Sequence, residues 1–226
     1  MGFEQFTAPM GWLLIDLLLG LAVLVVYHLL PPSWLLPIRN LRWVLVPYLA
    51  LLSGGVSPRF MGLTGIDWLA SFGLGFGLVA AVVGLLVLVR STTDFSPPTE
   101  ADTTPEALGK RHYQPITIAP FFYAGAEEFH WSFLRGVIAE ILQGATPPTG
   151  QAFYWAIWLA ALLALPETIR MQSTLLTRLF KATLLILTTV LFTYTRNFWL
   201  CWLLHGLVLL LLMPQNWSNR AAVQVE

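Results

Sequence analysis

A single cysteine, Cys201, excludes an intrachain disulfide and any metal site built from several thiolates. Charge is scarce too: Asp, Glu, Lys and Arg make up 11% of the chain, and 12 basic residues offset 12 acidic ones. That balance leaves no global field to attract nucleic acid or a strongly acidic partner. No His-Glu-x-x-His spacing occurs, so no metalloprotease helix is expected and no metal or cofactor is assigned. No internal repeat is visible either, which removes the usual sequence sign of a transporter. The first residues lack the basic stretch of a cleaved signal peptide and carry Phe6 where a myristoylation motif wants Ser or Thr, so the first apolar segment is expected to be retained.

What fills the chain instead is apolar: 57% of 226 residues are hydrophobic, with ten Trp. A soluble domain of this length needs far more polar surface, whereas several spans of roughly 20 residues each use nearly all of it. The pattern predicts one all-α integral membrane domain over residues 1–226, a polytopic helical bundle of about seven spans. The expected spans are 11–30, closed by Pro31-Pro32; a short one over 43–56, kinked at Pro47; 68–89; 116–142; 152–165, stopped by Pro166; 175–195; and 197–213. Residues 91–115, rich in Thr, Pro and charge, read as a flexible extramembrane loop. Gly73, Gly77 and Ala81 form a small-residue row suited to helix packing.

Counting Lys and Arg loop by loop puts Arg39, Arg42, Arg90, Lys110, Arg111, Arg170, Arg178, Lys181 and Arg220 on one side and only Arg59 and Arg196 on the other. The bias predicts an N-terminus outside and a C-terminus inside. Asp16 and His28 are expected near interfaces, and Arg178 and Lys181 near enough to one span end to snorkel.

Chemistry concentrates in the fourth span, at Glu127-Glu128-Phe129-His130-Trp131-Ser132-Phe133-Leu134-Arg135. Charge at bilayer depth is costly unless it faces a protein interior or a wet cavity, so such a cluster is a functional-site hypothesis. Glu127 and His130 are i, i+3 neighbours, and Arg135 shares the azimuth of Glu128 two turns on. A carboxylate beside an imidazole can hold and deprotonate a water, with a guanidinium orienting the second carboxylate. His205, in mid-span of the last segment, is a candidate oxyanion donor, proton carrier or simple helix-to-helix hydrogen bond.

These residues resemble the CPBP intramembrane protease family, which includes type II CAAX prenyl endopeptidases and bacteriocin-processing or self-immunity proteins. The resemblance covers residues 116–210. Glu127-Glu128 fits the family's Glu-Glu-x-x-x-Arg motif with Ser132 in place of the Arg, which Arg135 could replace. His205 matches the His of the later His-x-x-x-Asn/Asp motif, with Leu209 in place of the Asn. The Phe-x-x-x-His motif falls near Ala164 and Thr168, so its His is missing. The resemblance implies Glu127, Glu128, His205 and His130 as catalytic residues and Arg135 as the orienting one. The missing residues leave the enzyme question open. The expected function is that of a divergent, non-proteolytic relative that binds a membrane protein. The alternatives are an active glutamate-dependent endopeptidase cutting a membrane-embedded or prenylated peptide, and a transporter or proton relay. The expected surroundings are a plasma (inner) membrane or an internal one such as the thylakoid. The expected partners are the lipid bilayer and a membrane protein, a lipidated peptide or a pigment-binding protein, with no nucleic acid.

Overall fold

The computed structural model describes residues 3–26, 32–92, 118–145, 151–170 and 175–212. Every regular element among them is helical: α1 (Phe3–Val26), α2 (Pro32–Leu52), α3 (Trp68–Ala70) running through a π-helical turn (Ser71–Gly75) into α4 (Phe76–Thr92), α5 (Ala119–Ala145), α6 (Gln151–Arg170), α7 (Leu175–Thr195) and α8 (Phe198–Leu212). Among the described residues, four stretches are long and apolar enough to cross a membrane, Ala8–Val26, Trp68–Leu88, Gln151–Arg170 and Thr177–Thr195, and Phe198–Leu211 is a shorter apolar helix. Their outward faces carry large exposed hydrophobics such as Leu18, Leu69, Leu162 and Leu179. A surface so apolar suits hydrocarbon and not water. The chain is built as a membrane protein.

The turn at 53–67 organises one end of the bundle. Trp12 of α1 lies against Gly55, Glu140 of α5 accepts a hydrogen bond from Ser57 N, and Phe153 at the start of α6 packs its ring on Phe60. Gly62 sits at φ +73°, where a side chain is strained, and a Cβ there would come within 2.6 Å of Phe192 and 2.8 Å of the Arg196 carbonyl. That vacancy lets the Gly62 carbonyl accept from Phe198 N at 3.0 Å, fixing the α7–α8 corner. Asn197 then caps α8, its Oδ1 accepting from Trp199 N at 2.9 Å and Leu200 N at 3.3 Å. Successive helices therefore alternate in direction, with α1 starting at the turn and α8 ending at the far end.

α5 is the central helix, packed on α1, α2, α6 and α8. Several element limits differ from the sequence expectation, for one reason. α2 begins at Pro32, not near Trp43, and α6 runs through Pro166 to Arg170. Proline removes one helical hydrogen bond, yet a membrane helix tolerates the loss when neighbours hold it. Glu167, just past Pro166, is held by Arg42, and Arg42 and Arg39 are themselves buried and partnered. Charges read as loop markers are interior contacts. The row of Gly73 and Gly77 faces outward with nothing within 4 Å, whereas Gly75, on the other side of the helix, is the one packed inward on Thr195 and Leu200. His28 and all but the first two residues of the 91–115 loop lie outside the described residues.

Candidate functional site

Two glycines bring α5 and α8 together. A Cβ at Gly206 would meet the Phe121 ring at 2.2 Å, and one at Gly125 would meet the Trp202 indole at 2.7 Å. Trp202 Nε1 donates to Phe121 O at 3.0 Å across the same junction. The close approach sets His205 of α8 against both glutamates of α5. Its Nε2 lies 3.5 Å from Glu127 Oε2 and its Nδ1 lies 3.5 Å from Glu128 Oε2. The imidazole is stacked on Trp131, with ring centroids 5.0 Å apart and 18° between planes.

Each glutamate also has a cation of its own. Lys181 Nζ of α7 sits 2.5 Å from Glu127 Oε2, and Arg135 Nη1 sits 2.7 Å from Glu128 Oε1. Arg135 further reaches Thr188 Oγ1 at 3.5 Å, and its guanidinium lies 4.7 Å from the centroid of the Phe192 ring. All of these charged groups are buried. Lys181 Nζ is also 3.5 Å from His205 Nε2, and an ammonium can only donate. His205 Nε2 thus lies equally far from a donor, Lys181, and from an acceptor, Glu127. Nδ1 and Glu128 Oε2 are without a hydrogen-bond partner at their separation.

A second polar network lies beside the first. His130 Nε2 donates to Asp16 Oδ2 at 2.9 Å, and Arg42 Nη1 donates to Asp16 O at 3.0 Å while lying 3.4 Å from its Oδ1. Arg42 also binds Glu167, which accepts from Trp43 Nε1 at 3.1 Å. Trp43 stacks on His130, and Arg39 lies over Trp43 while bonding the Tyr123 hydroxyl. Lys181 Nζ lies 5.3 Å from the centroid of the same Tyr123 ring, so the two networks adjoin. Asp16 and Glu167 share the one guanidinium of Arg42, whereas Glu127 and Glu128 each have a cation, Lys181 and Arg135.

The structure thus gathers Glu127, Glu128, His205 and Arg135 from the sequence-derived set, and it places His130 elsewhere. The i, i+3 spacing puts His130 near Glu127 along α5, but its ring turns to Asp16. Asp16 is 2% exposed and turned into the bundle, where Arg42 and His130 give it two partners. Lys181 does not snorkel; it is 3% exposed and pairs with Glu127. Its register held the missed signal. Lys181 and Thr188 are i, i+7 and share an azimuth with buried Leu184 and Leu185, so the lysine belongs to the inward face of α7.

At the positions where the resembled motifs lose a residue, Ser132 Oγ is buried without a hydrogen-bond partner and Leu209 is fully buried. Thr168 Oγ1 bonds back to Ala164 O at 2.9 Å, directed at its own helix and not at the glutamates. Among the described residues, no group of three or more His, Cys, Asp or Glu side chains is arranged to hold a metal ion. No family model, curated protein or solved structure matches the chain.

Proposed function

We propose that this chain is a CPBP-like integral membrane protein that has lost proteolytic chemistry and acts by binding a membrane protein partner. The observation that carries the proposal is the Lys181–Glu127 pair, 2.5 Å apart and buried. A general base must be free to take a proton from a bound water. Glu127 instead neutralises an ammonium, Glu128 neutralises Arg135, and neither carboxylate is left over. A buried pair of this kind holds helices in a fixed arrangement, which is what a binding scaffold needs. In this proposal all seven helical rods cross the bilayer, including α2 and α5, whose charges are paired inside the bundle. The N-terminus lies outside and the C-terminus inside. Removing the buried Arg39, Arg42 and Lys181 from the charge count still leaves the basic excess on the C-terminal side.

A second function, a glutamate-dependent endopeptidase, is favoured by one fact: Glu127, Glu128 and His205 meet within 3.5 Å across two helices. The two functions part in one experiment. The protein is placed in lipid nanodiscs with a prenylated peptide and with a membrane-spanning peptide, and products are followed by mass spectrometry. In parallel, partners are crosslinked in native membranes. The expected result is no cleavage, with the same partner crosslinked by the wild type and by the charge-neutral Glu127→Gln/Lys181→Met variant. Cleavage that disappears in Glu127→Gln would overturn the binding proposal.

A further inference from the structure

Among the described residues, Arg196 is the one residue other than glycine with a positive φ, +48°. It turns the corner from α7 into α8, its N–H donating to Phe192 O at 2.8 Å so that α7 ends in a left-handed cap. Glycine takes that position without strain. A longer residue held there needs a reason, and strain of this kind gathers at ligand-binding sites. Filling space is not the reason, because Arg196 is exposed.

Meeting a carboxylate is not the reason either. Among the described residues no acidic side chain pairs with Arg196 or with Arg59, the two basic residues that the loop count sets alone on this side. Both carboxylates described at this end are turned to backbone N–H groups, Glu140 to Ser57 N and Asp67 to Ala70 N. The guanidinium of Arg196 lies 4.3 Å from the centroid of the Phe153 ring, and Phe60, next to Arg59, packs on the same ring at 6.2 Å. Two cations without a counter-charge are therefore tied to one aromatic platform. Their depth is that of lipid phosphates. Arg196 directly follows Thr177–Thr195, which is long and apolar enough to cross a membrane. Tyr194 and Trp199 on either side of it in the chain, and Tyr154 and Trp155 after Phe153, are exposed aromatics of the kind that settle among headgroups.

We propose that Arg196, with Arg59 beside it, binds the phosphate of an anionic phospholipid in the leaflet at the 53–67 end. A guanidinium presents a planar fork of donors that matches phosphate oxygens in pairs. Two guanidiniums without a counter-charge favour a headgroup that brings no cation of its own, so phosphatidylglycerol fits better than phosphatidylcholine. The Phe153 ring holds the Arg196 guanidinium in position by a cation–π contact. The site is independent of whether the buried glutamates hydrolyse anything, because Glu127, Glu128 and His205 take no part in it.

The test uses the full chain in dodecyl maltoside micelles, which carry no phosphate, with native mass spectrometry counting bound lipid. The wild type should retain phosphatidylglycerol in preference to diacylglycerol of the same acyl chains. Arg196→Gly should weaken that retention about tenfold, the loss expected for one charge-assisted hydrogen bond, and adding Arg59→Gln should remove the preference. Arg170→Gln, which changes an exposed arginine at the opposite end, should leave retention as it was. Phosphatidylglycerol should raise the Tm of the wild type, and inorganic phosphate at the same concentration should not. Without lipid, Arg196→Gly should hold its Tm or raise it by up to about 4 °C, because glycine relieves the left-handed cap. Unchanged retention in Arg196→Gly, equal retention of diacylglycerol, a loss of retention in Arg170→Gln, or an equal rise in Tm with inorganic phosphate would overturn the proposal. A fall in the lipid-free Tm of Arg196→Gly would overturn it too, by showing that the arginine is kept for its contact with Phe153.

Discussion

Replacing Lys181 with methionine separates the interior pair from the surface charge that a residue near a span end resembles. Methionine keeps much of the side-chain volume and removes the ammonium, so the principal change is that Glu127 loses its nearest cation. His205 is 3.5 Å away and lies beside the second pair, so it compensates poorly. Removing one partner of a buried ion pair costs about 3–5 kcal/mol, because the remaining charge stays desolvated. For a chain of this length that corresponds to a fall in Tm of about 6–20 °C. A lysine that merely snorkelled would give about 0–1 kcal/mol. The assay is thermal unfolding in nanodiscs for Lys181→Met, Glu127→Gln and the double variant, read as a double-mutant cycle. The double variant should regain most of the stability lost by Lys181→Met, since an uncharged amide beside a thioether leaves no buried charge. A Lys181→Met protein as stable as the wild type, or a cycle with no coupling, refutes the pairing and with it the neutralised-base argument.

Arg42→Leu should cost at least as much as Lys181→Met, because it strips the cation from both Asp16 and Glu167; thermal unfolding checks it, and Arg42→Lys should not restore the wild-type value, as one ammonium cannot reproduce the guanidinium fork. Gly206→Ala should destabilise by about 1–3 kcal/mol through the clash with the Phe121 ring, and Phe121→Ala in the same chain should recover part of it. Asn197→Ala should cost about 1 kcal/mol by uncapping α8, measurable in the same unfolding assay.

Helix positions were readable from the sequence where apolar length and breakers agree. The segment expected over 175–195 is α7 to the residue, and the one expected over 68–89 is α3 through α4 with three residues added. The 68–89 run is uninterrupted and apolar, so length sets it, whereas 175–195 carries Arg178 and Lys181 near its start and is apolar enough beyond them. The helix limits depart from the sequence expectation at Arg42 and at Pro166, where a charge and a proline read as boundaries, and at α1, which starts at Phe3 and runs through Pro9. A sequence displays that a residue is charged but not that a counter-charge waits on another helix: Arg42 is separated from Glu167 by 125 positions and from Asp16 by 26. The site was half legible for the same reason. Glu128 and Arg135 lie on one helix and their i, i+7 register predicts the contact. Lys181 meets Glu127 only through the packing of α7 on the bundle, and His130 is drawn to Asp16 by a first helix that no local pattern links to it.

The two networks explain how a helix as polar as α5 can occupy the centre of a bundle whose outer helices are apolar. Glu127 and Glu128 are adjacent, so they point about 100° apart around the helix axis. One meets α7 and the other reaches back along α5 to Arg135, while His130, on a further side, meets α1. Polar contacts in three directions turn most of α5 inward, with Phe122 near its start left exposed. Its charges are tolerable only with α1, α2, α7 and α8 in place around it. The requirement runs both ways. α1 is otherwise a largely lipid-exposed helix, and Asp16 gives it a fixed rotation by engaging α2 through Arg42 and α5 through His130. Replacing the whole second network with aliphatic side chains of similar volume should therefore leave stability little changed while loosening the rotational setting of α1, since buried ion pairs add little net stability and in some systems fix register. Cysteine crosslinking between Leu13→Cys and positions along α2 checks it: a single crosslinked register in the wild type should become several. One unchanged register would show that apolar packing alone orients α1.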